Sequence, residues 1–308
     1  MWNYLGKRFL TSILVLFGVS IFTFLMLHFS PGDPVRALIG RQNSSPERIA
    51  EVRKELGLDD PLPVQYWNYI KRVFHGNFGK SYKNNRDVAE TIFEQFPSTV
   101  ELTVFALAIA ITFGLIVGAF SAFHHHNYID HFLSVFCLTG ISIPPFFLGL
   151  LLIFFFSVKQ KWLPSTSQSG NFKGMILPAI TLSVGEGCWL ARLVRSSVLD
   201  ELGKTYQTVA IAKGGSDRYV LFRHVIRNSL IPIITSIGLE FVYLLAGSVV
   251  VESIFARQGI GRLAVNSIQS RDFPVVEGTV SLIAVLYVVI NTITDILYAI
   301  ADPRIRLK

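Results

Sequence analysis

The sequence predicts an all-helical membrane protein with six transmembrane helices, an external helical segment after the first and a folded basic loop between the fourth and fifth. Three observations point there. Of 308 residues, 51% are apolar and only 16% charged, with 25 Phe, too greasy for an ordinary soluble domain. Six apolar runs stand out, at 9–29 and near 99–123, 131–158, 176–198, 229–254 and 276–300. Each is long enough to cross about 30 Å of hydrocarbon as a helix. The basic residues, finally, are unevenly shared between the two sides that six crossings would create.

Lys7 and Arg8 precede the first run, FLTSILVLFGVSIFTFLMLHF. Its apolar core is longer than the 7–15 residues of a signal peptide and no small-x-small cleavage site follows, so it reads as a retained first helix. Residues 30–97 then form an external region. SPERIAEVRKELGL offers Ser45 as N-cap, Pro46 at the first helical position and Gly57 as the stop. QYWNYIKRVF and RDVAETIFEQF read as two further amphipathic helices.

The third run is long for one straight crossing, and Pro144-Pro145 should kink it or split off a piece. Arg192 and Arg195 end the fourth run, where long side chains snorkel to the interface. Cys137 and Cys188 fall inside apolar runs without CxxC or zinc-like spacing and read as small buried side chains.

Six crossings return the C-terminus to the starting side. That side carries Lys7, Arg8, seven basic residues from Arg192 to Arg227, Arg304, Arg306 and Lys308. The opposite short loops carry Lys159, Lys161, Lys173, Arg257, Arg262 and Arg271. This bias predicts both termini in the cytoplasm. It also accounts for the net charge of +7 without nucleic acid, since no basic stripe with interleaved aromatics lies outside the runs.

Enzymatic motifs are missing. GNFGKSY (76–82) has Phe74 where a phosphate loop needs glycine, so it reads as a turn. There is no HExxH and no GxSxG. His124-His125-His126, with His131 and Asp130 nearby, reads as a polar turn between helices two and three, with a metal role as the alternative. No catalytic residue and no metal site is assigned.

The stretch TYQTVAIAKGGSDRYVLFRHVIRN (205–228) lies between two crossings yet has the punctuation of folded helices. Gly203 can end helix four. Tyr206, Val209 and Ala210 share one side of a short helix that finishes at Lys213-Gly214. Ser216 can cap a second, with Asp217 in its first turn and Tyr219, Phe222 and Ile226 on one face. Two short helices joined at glycine make a compact cytoplasmic knob.

This spacing, TVAIAKG followed by HVIRN, resembles the EAA loop of the membrane subunits of ABC importers, in its peptide/nickel form. Thr208, Ala210, Gly214, His224, Arg227 and Asn228 are the matching positions. The resemblance extends through PGDP (31–34), LGLDDPLPVQYW (56–67), FPSTVEL (96–102), GSVVVESIF (247–255), GIGRL (259–263), RDFPVVEG (271–278) and ADPRIR (301–306). It implies the type I ABC importer permease fold. Residues 1–29 would hold the cytoplasmic end and helix 1, 30–97 the external segment, and 98–308 a five-helix core with its coupling loop at about 199–228.

The implied partners are a homologous second permease subunit, two ABC ATPase subunits, an extracytoplasmic solute-binding protein and membrane lipid. ATP and Mg would bind the partners, leaving this chain without a cofactor. Tyr206, Thr208, Ala210, Lys213, Gly214, Ser216, Arg218, His224 and Arg227 would couple ATPase closure to the membrane helices. Two departures from the family pattern are Gln258, where FxxPGxG has proline, and Asp87, which replaces another proline.

Glu186 in SVGEGCW and Glu240 in SIGLEFVY lie deep in runs four and five. A mid-membrane carboxylate costs about 2.5–3.5 kcal/mol, so it normally faces a polar path or a partner. Either the pair lines a cation-friendly passage, or each is a neutral or neighbour-bonded carboxyl. The expected cargo is a dipeptide or oligopeptide, with nickel or a nickel chelate as the alternative. An ion-coupled secondary transporter would use the same two residues as its relay.

Overall fold

The computed structural model describes residues 2–29, 35, 45–55, 57–168, 170–206 and 225–301. Helices account for the expected runs in order: α1 Trp2–Phe29, α2 Pro46–Glu55, α3 Leu62–Phe74, α4 Val88–Phe123, α5 Tyr128–Ser142 and α6 Pro145–Leu152. A π-helical stretch, Ile153–Lys159, continues α6; α7 Phe172–Leu202, α8 Ile226–Ile254, α9 Ile260–Ser270 and α10 Phe273–Ala301 follow. Among the described residues four are apolar enough over sufficient length to span a membrane: α4, α7, α8 from Pro232, and α10 to Thr294. The pair α5 and α6–π adds a fifth candidate span, bent by 101°. The apolar part of α1, Leu10–Met26, is shorter.

The 101° bend sits where the proline pair was expected to act. Pro144 caps α6 and Pro145 is its first residue, positions that need no intrahelical N–H. RDVAETIFEQF, by contrast, is no separate amphipathic helix. From Val88 it is continuous with the second apolar run, a single 36-residue helix with Pro97 inside it. Burial on both sides of Pro97, at Ile92, Ser98, Thr99 and Leu102, outweighs the local preference to stop. A second correction concerns 255–272, expected as a loop. It contains α9, whose first N–H, at Ile260, is taken up by Thr99 Oγ1 at 2.9 Å, and which ends on left-handed Arg271.

The chain forms two compact units, Met1–Thr99 with Gln258–Val289, and Val100–Arg257 with Ile290–Lys308. In the first, α1 and α3 meet through aromatic rings: Phe24 lies 5.3 Å from Tyr66 and 6.1 Å from Tyr69. His28 Nε2 and Gln65 Oε1 are 2.7 Å apart, and Gln65 donates to the Asp60 carbonyl. The 76–87 turn is anchored by Asp272, which accepts from the Ser81 hydroxyl and, at 2.9 Å, from the Tyr82 N–H. Val88 and Ile92 pack on Val275, and a Cβ at Gly278 would lie 2.8 Å from both.

In the second unit α7 is the central helix, packed against α5, α6 and α8. Its contact with α4 is set by small residues. A Cβ at Gly114 would lie 2.7 Å from Leu190, one at Gly118 would overlap the Ala191 carbonyl, and one at Gly187 would lie 3.2 Å from Ala110. Such approach lets helices pack where lipid supplies no hydrophobic drive. Cys137 and Cys188 are buried side by side at the α5–α7 contact.

Candidate functional site

Glu186 and Glu240 project from α7 and α8, which pack along their length in one unit. Glu240 is 1% exposed and both its carboxylate oxygens lack a hydrogen-bond partner among the described residues. Glu186 is half-buried on the helix packed against it. Two acidic side chains from facing helices therefore share one neighbourhood in the apolar interior. The expectation of a neighbour-bonded carboxyl fails for Glu240. An orphaned buried carboxyl has a large free-energy incentive to meet a cation, a proton or a donor.

The second part of the site is where α7 ends and α8 begins. Gly203 caps α7 as expected. Beyond it the Tyr206 hydroxyl donates to Glu201 Oε2 at 2.7 Å and accepts from Asn228 Nδ2 at 3.3 Å. Lys204 Nζ bonds Glu201 Oε1, and that carboxylate holds the Lys204 ammonium above its ordinary pKa. Ser229 Oγ donates to the Val225 carbonyl at 2.8 Å and reaches the Ser197 carbonyl at 3.3 Å. The end of α7 and the start of α8 are thus tied together through Tyr206. Thr208, Ala210, Lys213, Gly214, Ser216, Arg218 and His224 lie outside the described residues, as does the knob they were expected to form; Arg227 is in the first turn of α8.

Arg195 does not snorkel. Its Nε and Nη2 bond Asp130 Oδ1 and Oδ2 at 2.6 and 2.7 Å, a bidentate pair that also takes the Ser121 hydroxyl at 2.5 Å. Asp130 is 2% exposed, so the carboxylate requires that partner and the arginine is drawn inward. His124–His126 form the turn before α5, with His125 Nδ1 3.7 Å from Asp130. No cluster of three or more metal-ligating side chains occurs among the described residues.

Sequence reasoning missed Arg257 altogether, having counted it as a loop charge. It is fully buried, donating to Glu101 Oε2 at 2.6 Å and Ser167 Oγ at 2.8 Å. The available signal was Gln258 in place of proline, which pointed to this turn but not to its neighbours.

Residues 87–307 match the family described as Binding-protein-dependent transport system inner membrane component, and residues 1–103 match its N-terminal component. The chain is 41% identical over 308 residues, the full length of both proteins, to the glutathione transport system permease protein GsiC of Salmonella typhimurium. It is 40% identical, again over both full lengths, to GsiC of Escherichia coli strain K12. Among solved structures, an inward-facing MetNI methionine ABC transporter superposes with a TM-score of 0.56 at 16% identity, covering 68% of this chain and 96% of that one. An amino acid ABC transporter superposes with a TM-score of 0.52 at 18% identity, covering 68% and 93%. With two matched segments that together run from residue 1 to 307, the chain belongs to the binding-protein-dependent transport system inner membrane component family, in its peptide/nickel branch.

Proposed function

We propose that this ABC importer permease subunit passes short peptides, glutathione-like tripeptides among them, across the inner membrane. The observation that carries the cargo reading is the end-to-end 41% identity to a permease named for glutathione transport. The solute arrives on an external binding protein. A homologous permease completes the pathway, and two ABC ATPases, which bind ATP and Mg, drive it. The chain itself is non-catalytic and takes no cofactor. Six crossings leave both termini in the cytoplasm, with 30–97 outside.

Movement enters through the 205–228 segment. ATPase closure displaces Lys213-Gly214 and its neighbours. The Glu201–Tyr206–Asn228 bonds then carry that displacement to α7 and α8 together, shifting the population between inward- and outward-open states. Glu186 and Glu240 line the route on these same helices. The unpaired carboxyl of Glu240 also favours a second reading, import of nickel or a nickel chelate.

The test is uptake into vesicles holding the assembled complex, with labelled glutathione, a dipeptide and Ni(II) offered in turn. ATP-dependent peptide uptake supports the first reading and Ni(II)-only uptake the second. Uptake that persists with hydrolysis blocked and a proton gradient intact would defeat both.

A further inference from the structure

A cavity of about 780 Å³ opens in the Met1–Thr99/Gln258–Val289 unit, between α1, the turn after α2, α3, the 78–85 loop and the first turn of α10. Its size is that of a small-molecule pocket. Phe24, Tyr69, Phe78, Tyr82 and Phe273 supply an aromatic wall. Several polar groups in the lining are already engaged: His28 with Gln65, Ser81 with Asp272, and Tyr69 with Ser281 at 3.0 Å. Lys71 sits over the Trp67 ring at 5.3 Å.

Five charged side chains of the lining, Lys54, Asp60, Arg72, Lys80 and Glu277, have no side-chain partner among the described residues. Of these, Arg72 and Glu277 are opposite charges carried on helices. Arg72 extends from α3 and Glu277 from α10, and neither side chain makes a hydrogen bond or ion pair among the described residues. Both line the same cavity as two phenols, Tyr69 and Tyr82. Burial pushes Tyr69 and Tyr82 up to about 12, with Glu277 adding to the rise and Arg72 opposing it. A guanidinium and a carboxyl lining one aromatic-walled cavity, not hydrogen-bonded to each other, form a receptor for a ligand that carries both charges itself.

We infer that this cavity binds a small zwitterion of the amino-acid or short-peptide class, its carboxylate on Arg72 and its ammonium on Glu277. The planar guanidinium matches a carboxylate in two parallel bonds, while a carboxylate accepts readily from an ammonium. The rings take the apolar side chain. Built outside the α7–α8 pair, the cavity is a second solute site, a stop between delivery and passage. That role rests on the peptide reading above; the binding itself does not.

The test is binding of alanyl-phenylalanine to the assembled permease–ATPase complex, without its solute-binding protein, in phosphatidylglycerol nanodiscs. N-acetylation of the peptide should weaken binding about tenfold or more, and C-terminal amidation likewise. In Glu277→Gln the free and acetylated peptides should bind alike while amidation still costs affinity; in Arg72→Gln the pattern should reverse. Such crossed loss of discrimination is beyond a merely structural role, and Arg72→Lys should restore part of the carboxylate preference. Equal binding of all three peptides by the wild type overturns the inference, as does a pattern unchanged in both variants. Displacement of the peptide by added phosphatidylethanolamine would assign the cavity to lipid headgroups and overturn the solute assignment. Peptide uptake without this binding sinks the site and leaves the transport reading standing; binding without uptake does the reverse.

Discussion

Arg195 and Asp130 form a bidentate pair, at 2.6 and 2.7 Å, between the C-terminal part of the second unit's central helix and the first turn of α5. Removing either partner strands the other. Asp130→Asn should destabilise the protein by about 2–4 kcal/mol, below the range for a fully buried pair because Arg195 is partly exposed. Thermal unfolding in detergent measures the loss. The double variant Asp130→Asn/Arg195→Gln should be less damaged than the sum of the singles; strict additivity would mean that the pair contributes no coupling.

The Glu186–Glu240 neighbourhood makes a different prediction. Because both Glu240 oxygens lack partners, Glu240→Gln removes an ionisable group without breaking a hydrogen bond. Assembly should survive, and uptake of a cationic cargo should fall about tenfold, roughly the worth of one charge-assisted contact. Uptake of a neutral dipeptide should hold within about twofold. If Glu240→Gln and Glu186→Gln both transport every cargo normally, the pair does not line the route.

Coupling is tested at Tyr206. Tyr206→Phe deletes the hydroxyl that joins Glu201 to Asn228 while keeping the ring. Transport per ATP hydrolysed should drop several-fold, with ATPase activity retained, because about 1 kcal/mol of connection between α7 and α8 is lost. Gly214→Leu should uncouple more fully. Wild-type coupling ratios in both would remove the 205–228 segment from the mechanism.

The α4–α7 contact permits no bulk at Gly118. Its Cβ would overlap the Ala191 carbonyl, which is backbone and cannot swing aside. Gly118→Val should cost about 1–3 kcal/mol by overpacking and lower the yield of assembled complex. Gly18→Val, where nothing lies within 4 Å, is the control and should be silent. Equal behaviour of the two would contradict the close packing of α4 on α7.

What the chain alone determined follows from short-range chemistry. Run length and composition were enough for the apolar helices, since hydrocarbon leaves a polar backbone few other choices. Pro144-Pro145 announced the 101° break, Pro46 the start of α2 and Gly203 the end of α7, because each acts through its own backbone. The family was legible for the same reason: its motifs are local strings.

Only tertiary structure decided the rest. Pro97 is carried through a helix by burial on both sides, and α9 is capped by Thr99 from 161 residues away. Arg195 finds Asp130 across 65 positions, and Arg257 finds Glu101 across 156. Glu240 finds no hydrogen-bond partner among the described residues. Whether a charge snorkels, pairs or waits is set by which groups the fold brings within about 3 Å, a distance that sequence spacing does not encode.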